Sequence, residues 1–291
     1  MCYLKMFNIL TIMKYLHILF VLLCIQITSF AQNSNEYEVY AIRFGTEGGH
    51  MPLSFAAAGA SDKDSVQFCM MFWLLIGNGK HILVDAGHLR YSSDDSGLWK
   101  SYVRPDSALL RMGVKATEIT DIIITHPHYD HIGGIVLFPS AQVWMQKDDY
   151  DYFVGAAWQK NGFTEGLNKE DVKNIVAKNL EGKLTLVKGD SIEIFPGIRT
   201  FIGSKHTWES QHLLVNTKTD QVILASDDCW FYYNVEHLLP ITYYLFDPNA
   251  YVKQLKRMRV LQPDISLIIP GHDPLVFIRF AKVAEGIVKI R

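Results

Sequence analysis

The chain has 291 residues, a formal net charge of −2, 49% hydrophobic residues and 12% aromatics. That length and apolar share allow one substantial core or at most two small domains. With charges nearly balanced and no long basic run, the chain carries no electrostatic footprint for nucleic acid.

The amino-terminal stretch carries Lys5 and Lys14, the apolar run Ile18 to Ile27, and then Thr28-Ser29-Phe30-Ala31-Gln32 with small residues at 29 and 31. This pattern predicts a secretory signal peptide over 1–31, cleaved after Ala31, and Met13-Lys14-Tyr15 would begin a more ordinary version of it. The apolar run is short for a spanning helix, so a periplasmic or secreted protein is expected, with no membrane association once the signal is removed. Cys2 and Cys24 fall in that segment. Cys69 and Cys229 sit in apolar surroundings and read most simply as buried thiols, although an oxidising compartment would allow them to pair.

From Glu36 onward, strand-like runs cover Tyr37 to Phe44, Val66 to Ile76 and His81 to Asp85. The last two are joined by Asn78-Gly79, a two-residue hairpin signal. Gly45 to Asp64, rich in Gly, Ala and Ser, is a long loop, either a disordered connection or a flap over a site. Leu83-Val84-Asp85-Ala86-Gly87 ends a buried strand with a carboxylate suited to orienting a ligand histidine. Pro105 to Met112 predicts a helix with proline near its start and Gly113 just past its end.

Asp121-Ile122-Ile123-Ile124 then reads as a buried strand that runs into Thr125-His126-Pro127-His128-Tyr129-Asp130-His131, with Gly133-Gly134 close behind. Three histidines and an aspartate therefore crowd the carboxyl end of a strand, where open α/β sheets place their sites. Imidazole and carboxylate ligands without thiolate suit zinc first, then iron or manganese. In an extended or tightly turning segment His126 and His128 share a face. The adjacent Asp130 and His131 must diverge, and so can serve a second ion. One such cluster cannot fill two coordination shells, so further ligands have to return from elsewhere in the chain.

Ala141 to Gln146 predicts another strand. Asp148 to Phe163 carries Tyr150, Tyr152, Phe153, Trp158 and Phe163, which either pack a helix into the core or form an apolar wall for the non-reacting part of a substrate. Lys169 to Leu180 is helical in pattern, and Leu184 to Ile202 holds short strands. Three more strand ends then present ligand types: Phe201 to Thr207 bears His206, Gln221 to Asp227 ends in a carboxylate, and Ile265 to Pro270 runs into Gly271-His272-Asp273.

The set His126-x-His128-x-Asp130-His131, His206, Asp227 and His272 resembles the metallo-β-lactamase-fold hydrolases with a two-metal site. Leu83 to Gly87, Ala225-Ser226-Asp227 followed by Trp230 to Tyr233, and Ile269 to Asp273 make it most similar to the N-acyl homoserine lactonase family. The resemblance implies an α+β fold over 36–291, a four-layer αβ/βα sandwich with metals at one edge. It implies two divalent ions, zinc foremost. His126, His128 and His206 would hold one, Asp130, His131 and His272 the other, with Asp227 bridging. A metal-bridging hydroxide would open an N-acyl homoserine lactone or a similar lactone or ester with an apolar tail, and Asp130 would relay a proton to the leaving oxygen.

Members of that family often carry a tyrosine three residues after the bridging aspartate. Here Trp230 stands there, and an indole N–H donates but does not ionise near neutral pH. The tyrosine's role is then absent or passes to Tyr232 or Tyr233, which makes Tyr232 a candidate catalytic residue beside Asp130 and Asp227. Esterase, phosphotriesterase or sulfatase activity is the alternative, because these differ in pocket shape and not in ligands. A non-enzymatic metal-binding protein is a more distant one. His212 and His237 have no motif role and read as structural or surface residues.

Overall fold

The structure is a computed structural model that describes residues 35–46, 49–89 and 100–291; the signal peptide expected over 1–31 lies outside the described residues. Among the described residues no helix is long and apolar enough to cross a membrane.

The strand Cys69–Gly77 has the sequence CMMFWLLIG, without one charged side chain, so both of its faces have to be covered. Successive side chains on it point to opposite faces and join two different apolar sets. Phe72 and Leu74 pack with Ile42, Leu83 and Ile122 and with the helical residues Ala108, Leu109 and Ile175. Met71, Trp73 and Leu75 pack with Val39, Ile82 and Val84, and with Leu213, Val222, Leu224 and Ile269 of a second sheet. In the second sheet Ile223 and Ala225 face the other way, towards Tyr251, Leu255 and Met258 of the helix Pro248–Leu261. The layers are therefore helix, sheet, sheet, helix, an α+β four-layer sandwich.

The first sheet has eight strands in the spatial order Ala281–Ala284, Ile287–Lys289, Glu38–Thr46, Cys69–Gly77, Lys80–Val84, Asp121–Ile123, Gln142–Gln146 and Leu184–Val187. Its last four strands are parallel. The second sheet has five, ordered Ile268–Pro270, Gln221–Ser226, Gln211–Asn216, Ile198–Ile202 and Ile192–Phe195, of which the first two are parallel. The two sheets are tied at one edge, where the Gln211 backbone N–H donates to the Thr125 carbonyl at 2.9 Å and its side chain donates to the Ile124 carbonyl at 2.7 Å. The carboxyl ends of Asp121–Ile123, Gln221–Ser226 and Ile268–Pro270 consequently open on the same edge.

Local signals are realised where backbone chemistry is specific. Asn78 and Gly79 take φ of 52° and 71°, the primed-turn geometry that a two-residue hairpin needs. The helix Pro105–Leu110 ends two residues earlier than its apolar pattern, and Gly113 follows at φ 77°. The long loop after the first strand is not an unstructured connection in its described part. Met51–Pro52 pairs antiparallel with Ser65–Val66 around the helical turn Leu53–Ala56, and the Phe55 ring stacks 6.0 Å from Trp230. The aromatic segment Asp148 to Phe163 divides: Tyr150 and Phe153 are buried in the core, while Tyr152 and Phe163 join Trp208 and Phe246 in a separate cluster.

Leu224 lies fully buried between the sheets. Leu224→Ala should lower stability by about 2–5 kcal/mol, as a cavity in a layer closed on both sides relaxes little. Urea denaturation with an unchanged slope and an earlier midpoint would bear this out, and an unmoved midpoint would contradict the two-sheet core.

Candidate metal centre

The seven strand-end residues arrive in two adjoining groups. Potential ligand atoms of His126, His128, His206 and Asp227 lie within 4.8 Å of one another, and so do those of Asp130, His131 and His272. The short helix Tyr129–Ile132 explains why the first cluster divides between them: His128 is its extended N-cap, while Asp130 and His131 are turned away within it. Behind His128 a β-carbon on Gly166 would meet the imidazole at 2.6 Å, so only glycine fits there. In the same way a β-carbon on Gly271 would strike the Asp227 carboxylate at 2.5 Å.

Hydrogen bonds behind the rings fix which nitrogen faces inward. Asp85 is fully buried and accepts from His131 Nδ1 at 2.8 Å, from the Thr125 backbone N–H at 2.8 Å, from Thr125 Oγ1 at 2.9 Å and from Ser226 Oγ at 3.1 Å. Thr125 Oγ1, having given its proton to Asp85, accepts from His126 Nδ1 at 3.0 Å. His272 Nδ1 donates to the Cys69 carbonyl at 3.2 Å. His126, His131 and His272 thus turn Nε2 towards the centre, the arrangement that orients metal-binding histidines.

A second buried carboxylate braces the His206 loop. Asp228 accepts from Ser204 N at 2.8 Å, Ser204 Oγ at 2.6 Å, Ser210 Oγ at 2.8 Å and His212 Nδ1 at 3.0 Å. His212 is therefore a structural histidine. A third, Asp149, accepts from Thr207 Oγ1 at 2.7 Å and from the Glu209 backbone N–H at 3.1 Å. Neither Asp228 nor Asp149 stands out in the sequence, because their partners are brought to them only by folding.

The groups fit a metal. His131 Nε2 and Asp227 Oδ1 are both buried and have no hydrogen-bond partner among the described residues. They stand 3.3 Å apart without forming a hydrogen bond to each other. Unpaired polar atoms of this kind are costly in a protein interior unless something else satisfies them. Burial, then the neighbouring imidazoles, holds His126 and His128 well below the ordinary histidine range, leaving lone pairs available. At His131 burial opposes charge, but Asp130, Asp227 and Asp85 outweigh it and push the ring up. Asp227 is held well below the usual carboxylate range, burial notwithstanding, by His272, His131 and His126. All donors are nitrogen or oxygen, the chemistry that zinc and its first-row neighbours accept.

Trp230 and Tyr232 separate clearly. Trp230 Nε1 donates to Asp227 Oδ2 at 2.7 Å, so the indole is part of the centre's surround. Tyr232 begins the short helix Tyr232–His237, and its side chain turns into the layer between the sheets. Its hydroxyl donates to the Ser266 carbonyl at 3.4 Å, and the Arg279 guanidinium lies 3.9 Å over its ring. Burial pushes this phenol up, away from acid–base use. The structure does not bring Tyr232 to the centre. Tyr233 packs on His237 at 4.1 Å. Cys69 and Cys229 are free buried thiols, and burial pushes the Cys69 thiol up to about 12.

Two measurements follow. Asp85→Asn should weaken metal binding about 10- to 100-fold, because it disturbs the group that sets the His131 ring. Competition with a chelator would show this, and undiminished affinity would remove Asp85 from that role. Burial raises the Asp149 carboxyl to about 7 from an ordinary value of 3.8. The folded state then keeps a proton that the unfolded state has lost, so this group's contribution to stability falls as pH rises from about 4 to 7. Asp149→Asn should flatten that part of the pH–stability curve, read by thermal unfolding.

Residues 66–197 match the Metallo-beta-lactamase superfamily. An N-acyl homoserine lactonase of Bacillus sp is 27% identical over 207 residues, which span 66% of this chain and 76% of that protein. An N-acyl homoserine lactone hydrolase, solved with the product N-hexanoyl-L-homoserine at its catalytic metal centre, superposes with a TM-score of 0.67 at 22% identity, over 84% of this chain and 96% of that one. A dizinc quorum-quenching lactonase superposes with a TM-score of 0.64 at 18% identity, over 88% and 94%. Sequence match, shared fold and strand-end donor set agree: the chain has the metallo-β-lactamase fold, carries the donor set of a metal-dependent hydrolase, and is most like the N-acyl homoserine lactonases.

Proposed function

We propose that this protein opens the ring of an N-acyl homoserine lactone, or of a similar lactone with an apolar tail, using two divalent ions, zinc foremost. The observation that carries the two-ion reading is the placement of Asp227. Its Oδ2 lies 3.1 Å from His206 Nε2 and 3.7 Å from His126 Nε2, while its Oδ1 lies 3.0 Å from His272 Nε2 and 3.3 Å from His131 Nε2. One carboxylate thus offers an oxygen to each group. His126, His128 and His206 would hold one ion and Asp130, His131 and His272 the other. When bound, such ions supply a water of lowered pKa and polarise the carbonyl.

The chain's own residues supply the remainder. Asp130 is the most exposed of the seven, at 8% against 5% or less for the others, and so is the carboxylate within reach of a substrate atom. Burial opposes its charge, but His131 and His272 hold it ionised and able to take up a proton and release it to the departing alkoxide. Trp230 holds Asp227 in register through its 2.7 Å hydrogen bond.

Room for an apolar tail favours a cavity of about 420 Å³ lined by Leu53, Val66, Phe231, Tyr233 and Leu275, whose lining also takes in Asp273, the residue after His272. The aromatic group of Tyr152, Phe163, Trp208 and Phe246 beside His128 encloses only about 10 Å³, too little for an alkyl chain. The tail is therefore assigned to the larger space. Each buried methylene contributes about 0.8 kcal/mol.

The test is a panel at fixed zinc: acyl homoserine lactones of rising tail length, an aryl ester, a phosphotriester and a β-lactam. Lactones should be opened with a Michaelis constant that falls as the tail lengthens, and Val66→Trp should erase that trend while sparing the shortest tail. Elemental analysis should give two ions per chain, and Asp227→Ala should abolish turnover with little loss of fold. Untouched lactones beside turnover of another class would remove the lactonase assignment, and one ion under metal-replete conditions would remove the two-ion centre. We further propose export, to be checked by sequencing the amino terminus of the mature protein, expected near Gln32.

A further inference from the structure

Eight non-glycine residues adopt positive φ among the described residues. Four of them gather at the metal centre. Asp85, φ 62°, holds His131; Lys205, φ 62°, precedes His206; Ser226, φ 47°, precedes Asp227; and the fourth is Tyr244, φ 56°. A left-handed backbone is unfavourable for a bulky side chain, and it persists only where the surroundings impose it, most often at functional sites. The first three serve ligand residues directly. Tyr244 is not a ligand, yet its ring lies 6.0 Å from His128 and 6.2 Å from Trp230.

The loop holds this ring from both sides. Phe246 N donates to the Lys205 carbonyl at 2.9 Å, and the Phe246 ring packs on Phe163 at 5.2 Å and Tyr152 at 5.7 Å. On the other side Tyr243 packs on Phe55 at 5.0 Å. Tyr244 is half-buried between these anchors. Trp230 has committed its one N–H to Asp227, and the Tyr232 hydroxyl is directed at Ser266. Among the described residues, Tyr244 brings a hydroxyl-bearing ring against His128 and Trp230 from a different element, a loop outside the ligand motifs.

We propose that Tyr244 is a substrate-contacting residue whose phenol donates a hydrogen bond to the ester group being opened beside His128. This rests on the ester-opening reading above. A phenol remains protonated near neutral pH and can donate without ionising. It binds the oxygen as charge gathers there in the transition state, where a fixed donor has its largest effect.

The experiment compares the zinc-loaded wild type, Tyr244→Phe, which keeps the ring and removes only the hydroxyl, and Tyr40→Phe as a remote control. The Tyr244→Phe protein should lose about 10- to 100-fold in kcat/KM on the best ester or lactone of the panel. Its metal content and unfolding midpoint should be unchanged, and Tyr40→Phe should match the wild type. Independently of turnover, the ring-opened N-hexanoyl-L-homoserine should bind Tyr244→Phe about tenfold more weakly by calorimetry. If the wild type ignores lactones but opens another ester, the lactone reading fails, and the Tyr244→Phe rate on that ester decides the present proposal. If no ester is opened, product affinity decides it. Equal rates and equal product affinity overturn it, and so does a loss accompanied by lost metal or a lower midpoint, which would make Tyr244 a structural brace. A wild type that neither opens an ester nor binds the product overturns both readings.

Discussion

Everything at this centre depends on a carboxylate that is not itself a candidate ligand. Asp85 sits at the end of a first-sheet strand, fully buried, and gathers protons from His131, Thr125 and Ser226. Those three partners come from one strand end in the same sheet and one in the opposing sheet. The hydrogen bonds therefore do two jobs at once: they select the inward nitrogen of His131 and they lock the sheets' edges together. An unpaired buried carboxylate would cost several kcal/mol. The same cost, once met by a full set of donors, makes the geometry rigid, because any displacement of an edge strand leaves a charge unsatisfied.

That rigidity is obtained against an electrostatic burden. Four histidines, two aspartates and a further histidine are packed at 8% exposure or less against an apolar core. His131 and His272 are pushed up by their carboxylate neighbours, so a proton competes with a metal for these rings more than at an ordinary histidine. Folding and metal binding are linked on these grounds: an ion that binds only the folded chain adds to its stability by mass action. The core supplies the shape of the centre, and the ion supplies the charge balance that the core alone lacks.

How much of this was legible in the sequence follows from the range of each interaction. The grouping of the seven donor residues could be read because they lie at strand ends, where an apolar run stopping at a histidine or aspartate is a local signal. The hairpin at Asn78-Gly79 could be read for the same reason. Tyr232 was misplaced by proximity in sequence: two residues beyond Trp230, it opens a helix and its ring packs between the sheets, under Arg279. Asp148 to Phe163 left core packing and an apolar wall open, and the helix distributes neighbouring aromatics to opposite sides, here Phe153 to the core and Tyr152 to the cluster with Trp208. Asp149, Asp228, Phe68 and Tyr244 could not be read at all. Their meaning comes from partners far along the chain, as with Asp228 and Ser204 at a separation of 24.

These two ranges of interaction separate reaction from selectivity. The donors that converge on the centre are fixed by strand ends and short hydrogen bonds, and they tolerate little change, as the close approaches at Gly166 and Gly271 show. The surround is built from rings in loops: Phe68 tilts over His272 at 5.4 Å and meets Trp230 edge-on at 5.1 Å, and Phe55 reaches in from the segment between the first two long strands. Loop rings can be exchanged without disturbing the ladder that positions the donors. In this chain an indole that grips Asp227 occupies the nearest ring position, and that choice removes a donor from the substrate's side of the centre. On the reading proposed above, the ester meets its hydrogen-bond partner on the loop that carries Tyr244, so the spacing between that loop and the strand-end donors, more than the donors themselves, decides which esters fit.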